Sequence, residues 1–328
     1  MANIWKPAVF QGKGKKTEYF EGWYFKLVSH DENNAFAIIP GISLTKNRGK
    51  SHAFIMVMDA RQQHLFYFRF PLEKFWASSD EFKIGIGSNY FSTKEVLLKL
   101  DDGVNTIQGK LNFQNIIPWP VKLFSPGVMG WYAFIPGMEC YHGVLSFDHT
   151  ISGSLKLNKM ELNFDNGKGY MEKDWGASMP SSWIWMQSNH FQEECVSLFG
   201  SVAKIPWLRK YFTGFIFGFL YGGHLYRFTT YTGAKIRELS VSHGEIRIII
   251  EDKKYRLSIQ ASREEGVDLP APSLGDMTAK VNESLNSKIK VELRDVKNQS
   301  KLIFSGLGQN AGLEFVGDVQ ELIRGFMK

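Results

Sequence analysis

The chain has two cysteines among its 328 residues, Cys140 and Cys195. Two isolated thiols cannot form the disulfide framework that stabilises small secreted proteins. Neither lies in a Cys-x-x-Cys pair, and the sequence has no His-Glu-x-x-His motif, so the usual zinc motifs are missing. We therefore predict no metal and no organic cofactor. We also predict that the histidines without ligand spacing are hydrogen-bonded core or surface residues: His52, His142, His190 and His224.

Long apolar runs are missing too. Three lysines, Lys13, Lys15 and Lys16, interrupt the first twenty residues, and the apolar stretch 211–221 is far shorter than the roughly 20 residues of a transmembrane helix. The net charge is +6, but the basic residues are scattered among acids, and no dense basic run predicts nucleic-acid binding. We expect a soluble, cytoplasmic protein with reduced cysteines. It is expected to bind no nucleic acid and could contact a membrane peripherally.

Helical periodicity is scarce, and alternation of apolar and polar residues takes its place. Residues 288–294 are the clearest case, with Ile289, Val291 and Leu293 on one face. Many short strands separated by Gly- and Asn-containing turns predict an all-β fold of antiparallel barrels or sandwiches with few short helices. The best helix candidate follows Gly317, where Asp318 can cap a turn. Its apolar face would consist of Val319, Leu322, Ile323 and Phe326.

The region 117–137 is rich in proline and glycine and breaks regular strand pairing. We place the boundary between two lobes there. The predicted N-terminal lobe is 1–135, and the predicted C-terminal lobe is 136–328.

Two segments contain most of the candidate catalytic and ligand-binding side chains. The first, 169–176, places Glu172, Lys173 and Asp174 between Tyr170 and Trp175. In a strand, Glu172 and Asp174 share one face, and Lys173 points to the other. Two carboxyls so close cannot both ionise freely, so one is predicted to stay protonated near neutral pH.

The second segment is 183–191. If it is a strand, alternation places tryptophans at one end of a face and amides in its middle: Trp183, Trp185, Gln187 and Asn189. Such a face suits a ligand that is mostly hydrocarbon with a polar head. The alternative is a buried strand whose amides bond neighbouring backbone groups.

Together these segments resemble the tocopherol cyclase family. The resemblance rests on Glu-Lys-Asp-Trp-Gly at 172–176, Trp-x-Trp-x-Gln-x-Asn at 183–189, and Tyr-Phe-Glu-Gly-Trp-Tyr-Phe-Lys at 19–26. It extends in the same order from about residue 17 to beyond 300. Asp174 stands where plant members commonly carry Asn. The resemblance implies two lipocalin-like, or calycin-like, β-barrel lobes. With the boundary predicted above, the C-terminal lobe 136–328 would carry the Glu-Lys-Asp-Trp-Gly motif.

The resemblance also implies an enzyme that closes a chroman ring on a prenylated hydroquinone. An acid protonates the first side-chain double bond, and the phenolic oxygen attacks the resulting cation. We predict Glu172 as the acid, with Asp174 the second candidate and Glu21 the third. The predicted substrate contacts are Trp175, Trp183, Trp185, Gln187, Asn189, Tyr24 and Glu21.

Three alternatives remain open. The chain could hydrate an isoprenoid, with water taking the part of the phenol. It could be a lipocalin-like carrier of a prenylquinone that performs no chemistry. Glu172 and Lys173 could also be a structural ion pair between lobes instead of catalytic groups.

Overall fold

Most of the protein consists of antiparallel β-strands. The computed structural model describes residues 3–207 and 210–326, with 62% strand and 7% helix. The strands up to residue 176 are β1 (Tyr19–Val28), β2 (Ala35–Leu44), β3 (His52–Asp59), β4 (His64–Phe70), β5 (Phe75–Ala77), β6 (Lys83–Ile86), β7 (Asn89–Ser92), β8 (Glu95–Asp101), β9 (Thr106–Gln114), β10 (Val121–Lys122), β11 (Ser125–Pro126), β12 (Cys140–Leu157), β13 (Met160–Asn163) and β14 (Gly167–Gly176).

The remaining strands follow residue 180. They are β15 (Trp183–Ser188), β16 (Ser197–Trp207), β17 (Lys210–Tyr221), β18 (His224–Thr229), β19 (Lys235–Ser242), β20 (Glu245–Glu251), β21 (Tyr255–Ser262), β22 (Val267–Ser273), β23 (Asp276–Asp295) and β24 (Lys301–Val316). Short 3-10 helices cover Arg48–Lys50, Leu72–Lys74, Gly130–Phe134 and Thr230–Thr232. The α-helix α1 is Val319–Phe326.

The first compact unit comprises Met1–Met179 and Leu269–Lys280. Its sheet runs in the order β4-β3-β2-β1-β14-β12-β9-β8-β7-β6-β5, with β13 paired to β12. Phe68 of β4 and Ile84 of β6, near the two ends of this path, belong to one buried apolar cluster. The sheet therefore curves around a single core, as a barrel-like lobe does.

The second unit comprises Pro180–Asp268 and Val281–Lys328. Its sheet runs β18-β17-β16-β15-β24-β23-β21-β20-β19. Strand β22 pairs with β23, and most of β22 and the start of β23 lie in 269–280, which is part of the first unit. The core of the second unit contains Ile184 and Met186 of β15 together with Ile289 and Val291 of β23. The predicted alternation of β23 is confirmed, and so is the all-β class with two antiparallel lobes and few helices.

The C-terminal helix is also confirmed. Asp318 caps it, because its Oδ1 accepts a hydrogen bond from Gln320 N at 2.9 Å. Leu322 is fully buried in the second core. The other three predicted apolar residues, Val319, Ile323 and Phe326, pack against that core. Within the described ranges, no helix has the length and apolarity needed to cross a bilayer.

The predicted lobe boundary at 135/136 is wrong. Strand β12 pairs with β9 and with β14, and β14 pairs with β1, so residues 140–176 complete the first sheet. The Glu-Lys-Asp-Trp-Gly motif therefore lies in the first unit and not in the second. The proline- and glycine-rich region is an excursion of the first unit that carries the β10–β11 hairpin and a 3-10 helix.

Candidate functional site

The motif strand β14 lies between β1 and β12. Tyr24 of β1 is opposite Glu172, and His142 of β12 is opposite Asp174. Because directly paired residues of antiparallel strands point to the same side, these four side chains and Tyr170 share one face of the sheet. We call this the acid face. The opposite face of the same strands packs into the first core.

The acid face holds Glu172 in a buried position. The Glu172 side chain is 5% exposed and accepts a hydrogen bond from the Tyr170 hydroxyl at 2.6 Å. Its Oε2 lies 3.6 Å from His142 Nε2. The Tyr24 side chain, across the strand, is also buried. Glu172 is thus a carboxyl placed among aromatic rings, as predicted.

His142 lies between the two carboxyls of the motif. Its Nδ1 is 2.8 Å from Asp174 Oδ1, closer than its Nε2 is to Glu172. Burial alone would lower the pKa of His142, but the negative charges of Asp174 and Glu172 outweigh burial and raise it to about 9. The imidazole is therefore an imidazolium near neutral pH, and Asp174 is its nearer partner.

Tyr170, which is buried, and Cys140, which is partly buried, border the cluster. Burial and the Glu172 charge raise the pKa of the Tyr170 phenol well above its usual value, so Tyr170 stays a hydrogen-bond donor. Burial and the Asp174 charge likewise raise the pKa of the Cys140 thiol. Cys140 Sγ lies 3.7 Å from Asp174 Oδ1. Neither group can act as a base near neutral pH.

Lys173 points to the core face, as alternation predicted. Its Nζ forms an ion pair with Glu21 Oε1 at 2.5 Å, and both side chains are fully buried. Burial lowers the pKa of Lys173 to about 8, against the opposing effect of Glu21. The ammonium also donates to the carbonyls of Pro7 and Val9, at 2.9 and 2.6 Å.

Glu21 is therefore not part of the acid face, and its predicted roles as third candidate acid and substrate contact are wrong. Its carboxylate accepts from the backbone N–H groups of Gln11 and Gly12 and from the Tyr19 hydroxyl. These donors and Lys173 occupy both of its oxygens. The structural ion pair of this region is Lys173–Glu21, not Glu172–Lys173.

The predicted grouping of Trp175 with the acids is also wrong. Trp175 belongs to the first core and stacks on Tyr141 with ring centroids 5.6 Å apart. The Lys173 ammonium lies 4.7 Å from its ring centroid and 4.8 Å from that of Trp23. Both tryptophans thus surround the buried cation on the core face.

The second predicted face belongs to the second unit. Trp183, Trp185 and Gln187 alternate with the core residues Ile184 and Met186, so they share the face away from that core. Asn189 follows the strand, and Gln187 Nε2 donates to its Oδ1 at 3.5 Å. All four side chains are buried.

Two carboxyls that the sequence did not single out lie on the same face of the second unit. Glu314 pairs directly with both Trp185 and Glu283 across the sheet. Its Oε2 accepts a hydrogen bond from Trp183 Nε1 at 2.6 Å. Glu283 is 1% exposed. This face therefore carries two acids in addition to the aromatic residues and amides that the sequence indicated.

His142 was the other residue missed. It is hydrogen-bonded, as predicted, but it lies inside the acid cluster. Metal-ligand spacing along the chain could not show this, because the cluster forms across strands. One atom from each of His142, Glu172 and Asp174 lies within 4.8 Å of the others, and this donor set could hold a divalent ion. One of the His142 ring nitrogens, Nδ1, is already engaged by Asp174.

Fold and site define an all-β protein of two antiparallel units with a carboxyl–imidazole cluster on a buried sheet face. A family model described as tocopherol cyclase-like matches residues 17–108 and 98–317. The chain belongs to this family, and the resemblance seen in its motifs is confirmed.

Plant tocopherol cyclases are similar to the chain over most of its length. The probable chloroplastic enzyme of Oryza sativa subsp. japonica is 21% identical over 360 residues, which cover 93% of this chain and 76% of the rice protein. The chloroplastic enzyme of Zea mays is 22% identical over 362 residues, with the same shares of each chain.

Solved structures share the fold. The crystal structure of CghA matches with a TM-score of 0.57 at 12% identity, covering 97% of this chain and 93% of that one. Kievitone hydratase from Nectria haematococca matches with a TM-score of 0.50 at 9% identity, covering 92% of this chain and 90% of the hydratase. At these identities the likeness shows the fold alone.

Proposed function

We propose that the protein is an acid-catalysed cyclase that closes a chroman ring on a prenylated hydroquinone, with Glu172 as proton donor. The observation that carries the proposal is the buried Glu172 carboxyl, which lies 3.6 Å from His142, the hydrogen-bond partner of Asp174. Family membership supports a cyclase, and the acid face supplies the group that the first step of such a reaction needs.

The proposed first step requires a protonated Glu172; burial of this residue favours the neutral form, whereas His142 and the Tyr170 hydroxyl stabilise the carboxylate. When His142 is an imidazolium and Asp174 a carboxylate, the pair carries no net charge. Ionising Glu172 as well would place a net negative charge in a site where Glu172 is 5% exposed, and burial opposes that. A neutral carboxyl is the form that can protonate an alkene.

The reaction follows from this state. The Glu172 proton adds to the less substituted carbon of the first side-chain double bond and leaves a tertiary cation and a Glu172 carboxylate. The phenolic oxygen attacks the cation and closes the ring, and its proton returns to Glu172. Product and substrate are isomers, and the acid is regenerated.

Aromatic groups on the acid face suit the cation. Tyr24 lies directly opposite Glu172, and a desolvated aromatic face stabilises a cation by about 2 kcal/mol. The predicted contacts in the second unit, Trp183 and Trp185 among them, remain proposals for binding a prenylated ligand. Tryptophan quenching by a prenylquinone tests them, because it should weaken in Trp185→Ala and should not change in a variant of exposed Trp76.

The test is product analysis. Purified protein is incubated with phytyl- and geranylgeranyl-hydroquinone, and products are separated by mass-resolved chromatography. A chromanol of unchanged mass supports the proposal, and a product heavier by one water would show an isoprenoid hydratase instead. Tight binding without either product would show a carrier.

Variants locate the activity. Glu172→Gln should reduce turnover by about a hundredfold or more, the usual contribution of a general acid, with ligand affinity unchanged. Glu161→Gln, at an exposed site on β13, is the matched control. Retained turnover in Glu172→Gln together with loss in Asp174→Asn would assign the proton to Asp174.

A further inference from the structure

The β10–β11 hairpin of the first unit carries an exposed apolar surface. Leu123 and Phe124 form its tip and are 66% and 80% exposed. Six of the twelve large apolar side chains that are exposed in the described chain lie on or beside this hairpin. They are Trp5, Val121, Leu123, Phe124, Trp131 and Phe134, and we call them the hairpin patch.

The hairpin patch is held together by specific contacts. Trp5 Nε1 donates to the carbonyl of Leu123 at 3.1 Å. The Trp5 ring meets Phe134 edge-to-face, with centroids 5.8 Å apart. The patch is therefore a built surface and not a set of scattered side chains, and exposed apolar patches of this kind mark interaction sites.

We propose that the hairpin patch inserts into the interface of a membrane that contains anionic lipids. The tip projects leucine and phenylalanine, and the half-exposed Trp5 contacts it through the Leu123 carbonyl, an arrangement typical of proteins that lie at the boundary of headgroups and acyl chains. Residues 118–138 contain no acid, and their one charge is Lys122, beside the tip. A lysine there attracts anionic headgroups.

A membrane fits this surface better than a protein does. The most exposed side chains protrude at a turn that also carries Lys122, and half-exposed tryptophans belong to the same patch, which is the composition of an interfacial membrane anchor. The inference goes beyond the proposed function, because it depends on the hairpin patch and not on the acid face. If the proposed function and this inference are both correct, the protein binds the membrane in which a prenylated hydroquinone dissolves.

Vesicle binding without substrate tests the inference. The full chain is sedimented with vesicles of phosphatidylcholine and phosphatidylglycerol, and separately with phosphatidylcholine alone. We expect binding to the mixed vesicles, weaker binding to neutral ones, and at least about tenfold weaker binding for Leu123→Asp/Phe124→Asp, which loses two apolar side chains from the tip. The matched control is Val104→Asp/Leu274→Asp, which places the same charges at two other exposed aliphatic residues of the same unit.

The outcomes are distinct. Loss of binding in the tip variant alone, with unchanged circular dichroism, supports the inference. Wild-type protein that stays in solution overturns it, and so does equal binding by the tip and control variants. A tip variant that changes the molar mass by light scattering, without a change in vesicle binding, would assign the patch to contacts between copies of the chain. Turnover of a water-soluble, short-chain prenylhydroquinone should be the same in all variants, so a failure of this inference leaves the cyclase proposal intact.

Discussion

Replacing Lys173 by methionine should destabilise the first unit without touching the acid face. The substitution keeps most of the apolar stem but removes the ammonium that pairs with Glu21 at 2.5 Å. Glu21 would then be a fully buried carboxylate without its cation. Removing one partner of a buried ion pair costs about 3–5 kcal/mol, a large part of the roughly 5–15 kcal/mol that stabilises a typical domain.

The cost should concentrate on the N-terminal segment. Lys173 holds the carbonyls of Pro7 and Val9, and Glu21 holds the N–H groups of Gln11 and Gly12. Urea denaturation measures the free energy of unfolding, and limited proteolysis reports whether residues 7–12 are released. We expect a loss of about 3–5 kcal/mol in Lys173→Met and earlier cleavage near the N-terminus.

A double-mutant cycle separates the ion pair from packing. In Glu21→Gln/Lys173→Met no buried charge remains, and the Gln carbonyl can still accept from the backbone N–H groups. Most of the lost stability should return, with a coupling energy of at least about 2 kcal/mol. A Lys173→Met protein within about 1 kcal/mol of wild-type stability that has lost turnover would refute this reasoning and place Lys173 in catalysis.

Three further predictions concern stability, each measured by chemical denaturation. Burial lowers the pKa of His149 to about 3. Between about pH 6.5 and about pH 3, the unfolded chain therefore binds more protons than the folded protein. Stability should fall by about 1.6 kcal/mol from pH 6.5 to pH 5, and an unchanged slope in His149→Met would contradict this. Gly169→Ala should cost about 1–3 kcal/mol, because the added Cβ would lie 2.2 Å from His149 Nε2; a neutral result would mean that the imidazole moves aside. Asp318→Ala should cost about 1 kcal/mol through the lost helix cap, whereas Asp318→Asn should cost little; equal losses would argue against the cap.

Local sequence patterns were enough to predict individual strands and the C-terminal helix. They could not show which strands pair with each other. Alternation identified β15 and β23, and the Asp318 cap identified the C-terminal helix. The lobe boundary failed because antiparallel pairing is non-local: β14 completes a sheet that begins at β1. Proline and glycine between 117 and 137 mark an excursion within a unit as readily as a linker.

The candidate site shows the same limit. Alternation in β14 places Glu172 and Trp175 on opposite faces, so the position of Trp175 away from the acids could have been predicted from the sequence. The register between paired strands was not available from the sequence. His142 contacts Asp174, 32 residues away, only because β12 pairs with β14. The sequence argument held that one of two close carboxyls must stay protonated. It did not include His142, whose imidazolium lies between Glu172 and Asp174.

Isotope incorporation tests the central claim most directly. A chromanol formed in D₂O by protonation of the side-chain alkene carries a single non-exchangeable deuterium, on the ring carbon that was the less substituted alkene carbon. If Glu172 delivers that proton, wild-type protein and Glu161→Gln should yield the singly labelled chromanol at the same rate, and Glu172→Gln should yield almost none while still binding the hydroquinone. Labelled chromanol from Glu172→Gln at the wild-type rate would contradict the account.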